Sequence, residues 1–178
     1  MRLRVHARSG ARPIRFLLIF SVCFVLGFAM LLTPPVRVAD GVFSRSLVQI
    51  SHAVIYAFGG HSSAQGAVLR NGTGSFGVEM QDGCNGVNVL ILLWSALLAF
   101  PASWRLKTVG LVAGTLLIEA LNTVRFISLF YLGQYSQTWF EFAHVYLWES
   151  LILLDTMVAF GVWVSVVRHA GTARHAET

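Results

Sequence analysis

Four long apolar stretches, each closed off by proline, glycine or a basic residue, constrain this chain more than anything else in it. They cover 14–33, 87–104, 109–132 and 146–167. A helix of about 20 residues crosses the hydrocarbon core of a bilayer, because each residue adds ~1.5 Å. Charged residues make up only 12% of the 178, about half the usual share of a soluble domain. That is too little polar surface for a water-soluble fold of this size. The expectation is a single all-α integral membrane bundle of about four transmembrane helices over 14–168. A basic tail over 1–13 precedes it, and a short disordered tail over 169–178 follows it.

A mixed outer segment, 34–86, separates the first two stretches. Pro34-Pro35 ends the first of them. With about 18 apolar residues and no small-residue cleavage pattern, that stretch reads as a retained anchor and not as a signal peptide. Phe43, Leu47, Ile50, Val54 and Phe58 then recur at helical spacing, with Arg45, Gln49 and His52 elsewhere on the turn. The pattern predicts an amphipathic helix over 42–58, lying on the membrane or capping the bundle. Further on, Ala67-Val68-Leu69 and Phe76-Gly77-Val78-Glu79-Met80 flank Asn71-Gly72-Thr73-Gly74. That is the signature of a short β-hairpin. Loops are expected around Pro101 to Lys107 and from Gly133 to Phe142.

Charge orients the bundle. With the N-terminus inside, nine basic residues lie on the inner side: Arg2, Arg4, Arg8, Arg12, Arg15, Arg105, Lys107, Arg168 and Arg174. Arg37, Arg45 and Arg70 lie outside, and Arg125 falls within a span. If 42–58 also spanned, Arg105 and Lys107 would move outside and the bias would weaken. Four spans with both termini cytoplasmic satisfy the positive-inside rule better. The net charge of +5 is therefore a topology signal. It carries no aromatic interleaving and no nucleic-acid motif, so the partner it implies is the lipid bilayer and not nucleic acid. The expected location is the inner, plasma membrane.

This orientation brings three reactive side chains, Cys84, Arg125 and His144, from three segments to the outer side. Cys84 lies in Asp82-Gly83-Cys84-Asn85-Gly86, at the head of the second span. There the helix dipole and unpaired N–H groups favour the nucleophilic thiolate. The flanking glycines, Gly86 among them, would let a substrate backbone approach. Cys23, in mid-span, reads instead as a buried structural cysteine.

Arg125 lies inside the third span, where its charge costs about 2.5–3.5 kcal/mol on insertion scales. Snorkelling to the outer interface is one explanation. However, Asn122 lies one turn inward and Glu119 a further turn, and such a polar stripe belongs against a bundle interior or cavity. His144 opens the fourth span near Glu141 and Glu149, and can take and return a proton near neutral pH. A plain interfacial histidine beside Trp139, Tyr146 and Trp148 is the alternative. Its company with Cys84 and Arg125 favours the chemical role, for which His52 and His61 compete. Asp155, three turns deeper on the same face, is a candidate structural partner.

Together these residues spell a thiol mechanism. His144 accepts the thiol proton, and Cys84 attacks a carbonyl to form a thioester. Arg125 supplies fixed charge for the oxyanion or for the substrate. No metal or other cofactor is expected. Two cysteines give no paired ligand spacing, and no His-Glu-x-x-His is present.

Cys84 at the head of one span, Asn122-Thr-Val-Arg125 in the next and His144 opening the one after resemble the exosortase/archaeosortase family of membrane cysteine transpeptidases. The likeness covers roughly 76–167. The short length and the run Asp82-Gly-Cys84-Asn85-Gly86 look most like exosortase H, the type paired with IPTLxxWG-CTERM proteins. The commoner family wording after the cysteine is Ser-Gly, and the extra N-terminal spans of the longer exosortases are missing here. The resemblance implies that Cys84, Arg125 and His144 are catalytic. It implies a secreted protein substrate whose C-terminal sorting signal has a short motif, a transmembrane helix and a basic tail. Cys84 would cleave near the motif, and an unidentified nucleophile at the cell surface would accept the product.

The alternative is a non-enzymatic assembly factor or transporter-like protein, with Glu119, Arg125 and Asp155 as an intramembrane ion-pair network. A transporter would string charges across the membrane, whereas these gather towards the outer half. A redox protein would want a second thiol near Cys84.

Overall fold

A computed structural model describes residues 11–81 and 83–176, with side chains for 13–169 except 82. Asp82 and most of the basic tail over 1–13 lie outside the described residues. The helices are α1 (Ala11–Leu31), α2 (Pro34–Ala57), α3 (Val87–Ala99), α4 (Trp104–Tyr135), α5 (Gln137–Phe142) and α6 (Trp148–Ala176). One wide π-helical turn, Ala143–Leu147, joins α5 to α6.

Among the described residues, three helices are long and apolar enough to cross a membrane: Pro13–Leu31, Trp104–Tyr135 and the composite Gln137–His169. α3 is as apolar but has only 13 residues, or about 20 Å of helix against a hydrocarbon core of about 30 Å. α1 lies at the edge of the bundle and packs on α3. Gly27 makes this possible, since a Cβ there would stand 2.6 Å from Ile91 Cγ2. Phe16, Phe20 and Phe24, four residues apart, stack along α1, and Phe28 continues the row with its ring tilted 54° to that of Phe24.

Two apolar clusters hold the rest. Leu90, Leu93 and Leu97 of α3 meet Ile118 of α4 and Trp163 of α6 in one cluster. The other joins Leu47, Val48 and Ile55 of α2 with Leu69 and Met80 of the sheet region and Phe126 and Phe130 of α4. Burial of each large side chain there contributes about 1.5–3 kcal/mol, and it fixes α2 and the sheet on the C-terminal half of α4.

Several sequence expectations change. The hairpin belongs to a three-stranded antiparallel sheet of β1 (Ser62–Gln65), β2 (Val68–Asn71) and β3 (Gly77–Glu79), in that order. β1 escaped notice because Ser-Ser-Ala-Gln has no apolar alternation. It pairs with β2 in the register Ser62↔Asn71 after a turn at Gly66, whose φ is +63°.

The amphipathic helix starts at Pro34, not at 42, because prolines are tolerated at a helix's first positions. The expected loop at Trp104 to Lys107 is the first turn of α4. The true link is 100–103, and Lys107 Nζ reaches back to the Leu98 carbonyl at the end of α3. The expected loop at Gly133 to Phe142 shrinks to Ser136, an extended residue whose Oγ accepts from Trp139 N to start α5. α6 runs on to Ala176, through the stretch expected to be disordered.

Candidate functional site

The site grows from the turn before α3. Gly83 and Gly86 both have positive φ, +86° and +85°, a conformation that other L-residues adopt only with strain. Between them, Cys84 N donates to the Gln81 carbonyl at 3.0 Å. Gly86 is the N-cap of α3, so Cys84 sits two residues ahead of the cap and outside the first helical turn. The macrodipole, which fades within a turn, therefore acts on the thiol more weakly than a cysteine at the cap itself would feel.

Asn85 is fully buried. Its Nδ2 donates to Asp40 Oδ1 at 2.5 Å and to Ser44 Oγ at 3.0 Å, both on α2. Its Oδ1 accepts from Val87 N at 3.2 Å, which satisfies one open N–H of α3. Asn85 is thus the pin that fastens the cysteine turn to α2. Asn85→Ala should remove all three contacts and cost about 1–3 kcal/mol for the buried partners left unpaired. Thermal unfolding in detergent reads that loss directly, and an unchanged midpoint would refute the pin.

Gly86 does not leave room for a substrate, as its position beside Cys84 suggests. It leaves room for α4: a Cβ there would stand 2.8 Å from Glu119 Oε1 and 3.2 Å from Asn122 Nδ2. Gly86→Ala is expected to cost about 1–2 kcal/mol in backbone strain and to slow alkylation of Cys84 by displacing the turn. Wild-type alkylation and stability in that variant would show that neither constraint operates.

The polar stripe of α4 does face inward. Asn122 and Arg125 are buried and Glu119 is half-buried. Asn122 Nδ2 lies 3.5 Å from Glu119 Oε2. Arg125 is only 7% exposed, so it does not snorkel to water. Its Nη2 donates to the backbone carbonyl of Cys84, and the guanidinium lies within electrostatic reach of Cys84, Glu149 and Glu119. Among the described residues, Arg125 Nε, Glu119 Oε1 and Asn122 Oδ1 are buried without a hydrogen-bond partner.

His144 falls within the π-helical turn, where the wider spiral shifts side-chain direction. It is half-buried and stacks on Phe140, with centroids 5.8 Å apart and planes 16° from parallel. Its Nδ1 is buried and has no hydrogen-bond partner among the described residues.

Cys84, Arg125 and His144 line one cavity of about 380 Å³, walled by Phe76, Phe126, Leu129 and Phe140 and rimmed by Glu79, Gln81 and Gln137. Asn85, Gly86, Asn122 and Glu119 are not among its lining residues. The competing histidines lie elsewhere: His52 Nδ1 pairs with Ser62 Oγ at 2.8 Å, and His61 is exposed. Asp155 lines a separate, mostly apolar cavity of about 460 Å³ with Leu93, Leu97 and Trp163, so it does not partner His144. Among the described residues, no group of three or more His, Cys, Asp or Glu is arranged to hold a metal ion.

The family model for transmembrane exosortases (Exosortase_EpsH) matches residues 5–168. The chain belongs to the transmembrane exosortase family. Searches of the curated proteins and of the solved structures returned no match.

Sequence reasoning missed Asp40, Ser44 and Phe140 of this exosortase's site. Asp40 is the only acidic residue ahead of Glu79, and Ser44 follows it by one helical turn on the same face. That pairing was the available signal. Phe140 gave none, because the π-turn that aligns it with His144 has no sequence mark.

Proposed function

We propose that this exosortase-family chain is a membrane cysteine peptidase and transpeptidase that acts on the C-terminal sorting signal of secreted proteins. One observation carries the reading: a thiol, a guanidinium and an imidazole from three segments line a single cavity of about 380 Å³. His144 takes the thiol proton, and Cys84 Sγ attacks the scissile carbonyl carbon. Arg125, with one N–H on the Cys84 carbonyl, has further N–H groups for the oxyanion of the tetrahedral intermediate. The imidazolium returns its proton to the leaving amine as the C–N bond breaks, leaving a thioester on Cys84. An acceptor nucleophile at the cell surface, deprotonated by His144, attacks that thioester and expels the thiolate.

The positive-inside bias sets both termini in the cytoplasm of the inner membrane and the cavity on the outer side. α1, α4 and α6 then span, and α3, with its flanking turns, serves as a short fourth span. The substrates are proteins with a motif, transmembrane helix and basic tail, of the IPTLxxWG type that matches exosortase H. Glu119, Asn122 and Asn85 act as positioning residues. Against the ion-pair network stands the separation of Asp155 into another cavity, together with Glu119 Oε1 and Arg125 Nε, which have no hydrogen-bond partner among the described residues.

The test is co-expression of the native chain with proteins bearing such signals, followed by intact-mass measurement of each substrate. Loss of the C-terminal segment is the expected result, and any added mass identifies the acceptor. Intact substrates beside folded, membrane-inserted enzyme would overturn the reading.

A further inference from the structure

The end of the bundle opposite the Cys84 cavity holds a second cationic feature. Arg15 of α1 and Lys107 of α4 line a recess of about 430 Å³ together with Phe16, Ile19, Leu98 and Phe100. Among the described residues, no carboxylate lines it. Arg15 is exposed and Lys107 half-buried. Lys107 Nζ donates to the Leu98 carbonyl and stands 5.3 Å from the centroid of the Trp104 ring. An ammonium has three donors, so two remain for a ligand. Two like charges over one recess repel each other unless an anion lies between them.

The depth of the recess adds a separate argument. α3 ends after 13 residues, roughly 10 Å short of a full bilayer crossing. The non-helical link at 100–103 follows at once, and its backbone groups need polar partners at that depth. Polar headgroups drawn inward would supply them, while Phe16, Ile19 and Leu98 offer apolar wall to an acyl chain.

We propose that this recess binds one anionic phospholipid, its phosphate held between Arg15 and Lys107 and an acyl chain laid along α1 and α3. With the orientation above, the lipid belongs to the cytoplasmic leaflet. The site is independent of the enzymatic reading and stands or falls without it.

The experiment is native mass spectrometry of the full chain released from micelles containing phosphatidylglycerol, phosphatidylcholine or inorganic phosphate. One retained phosphatidylglycerol is the expected result. Each basic residue near an anionic lipid is worth roughly fivefold in binding, so Arg15→Gln with Lys107→Gln should weaken retention about 25-fold. Arg45→Gln with Arg70→Gln, at the other end, should leave it unchanged. Because Lys107 also holds the end of α3, Arg15→Glu serves as the variant that leaves that contact intact, and it should lose the lipid alone. Equal retention of phosphatidylcholine, or undiminished binding in Arg15→Glu, would overturn the site. Inorganic phosphate binding in place of the lipid would overturn the lipid assignment.

Discussion

Cys84→Ala is expected to abolish substrate processing while the protein still accumulates and inserts normally. Loss of the attacking group in an acyl-transfer enzyme lowers turnover on the order of 10⁶-fold, far below any co-expression readout. The fold should hardly respond. Cys84 is only half-buried, and its hydrogen bonds run through its backbone, from N to Gln81 and from Arg125 to its carbonyl. Truncation to alanine leaves both in place. Two measurements check this: substrate mass by intact-protein spectrometry, and enzyme level with melting midpoint in detergent. Processing that survives the substitution would eliminate the thiol mechanism. A collapse in protein level would instead make Cys84 structural and leave the chemistry to another group. In the native enzyme, quenching early in turnover should trap a substrate fragment on Cys84, released by hydroxylamine as a thioester is.

Arg125→Lys should cost on the order of 10²–10³ in kcat, the range seen when one oxyanion donor is removed, with insertion unaffected because the charge is kept. The reason is geometric. One guanidinium N–H is spent on the Cys84 carbonyl, and the planar fork has others to offer a second acceptor. A lysine ammonium on a flexible stem cannot hold the carbonyl and meet the oxyanion from the same fixed plane. The split between constants identifies the role. A fall in kcat at constant KM marks transition-state stabilisation, and a rise in KM at constant kcat marks substrate orientation. Near-native values for both would mean that charge alone suffices and that the fork has no function.

Much of the frame is readable from the chain because the bilayer enforces simple rules. The 178 residues carry so few charges that each one must sit at an interface, in a cavity or beside a partner. This is why Arg125, a charge within an apolar span with Asn122 and Glu119 on the same face, points to a site without any coordinates. Cys84 stands out in the same way, in a polar glycine-rich turn between apolar segments. The roles of their neighbours were harder to read. Gly86 looks like an opening for substrate, yet it is the space into which Glu119 and Asn122 pack. Asn85 reads only as part of the polar turn, yet it is a buried pin to Asp40 and Ser44 some 40 residues away; their bonds span 45 and 41 positions.

By itself, then, the sequence determined the apolar helices, their bias of charge and the family pattern, and it singled out three candidate groups, since periodicity, hydropathy and rare polar residues are local quantities. Only the tertiary structure decided which groups share a cavity. His144 joins Cys84 and Arg125 because a π-turn, a stack on Phe140 and a break at Ser136 set its place, whereas Asp155, on the same helical face by spacing, faces a different cavity. The contacts that make these choices link residues far apart in the chain. Their energies depend on packing between helices, which no single segment encodes.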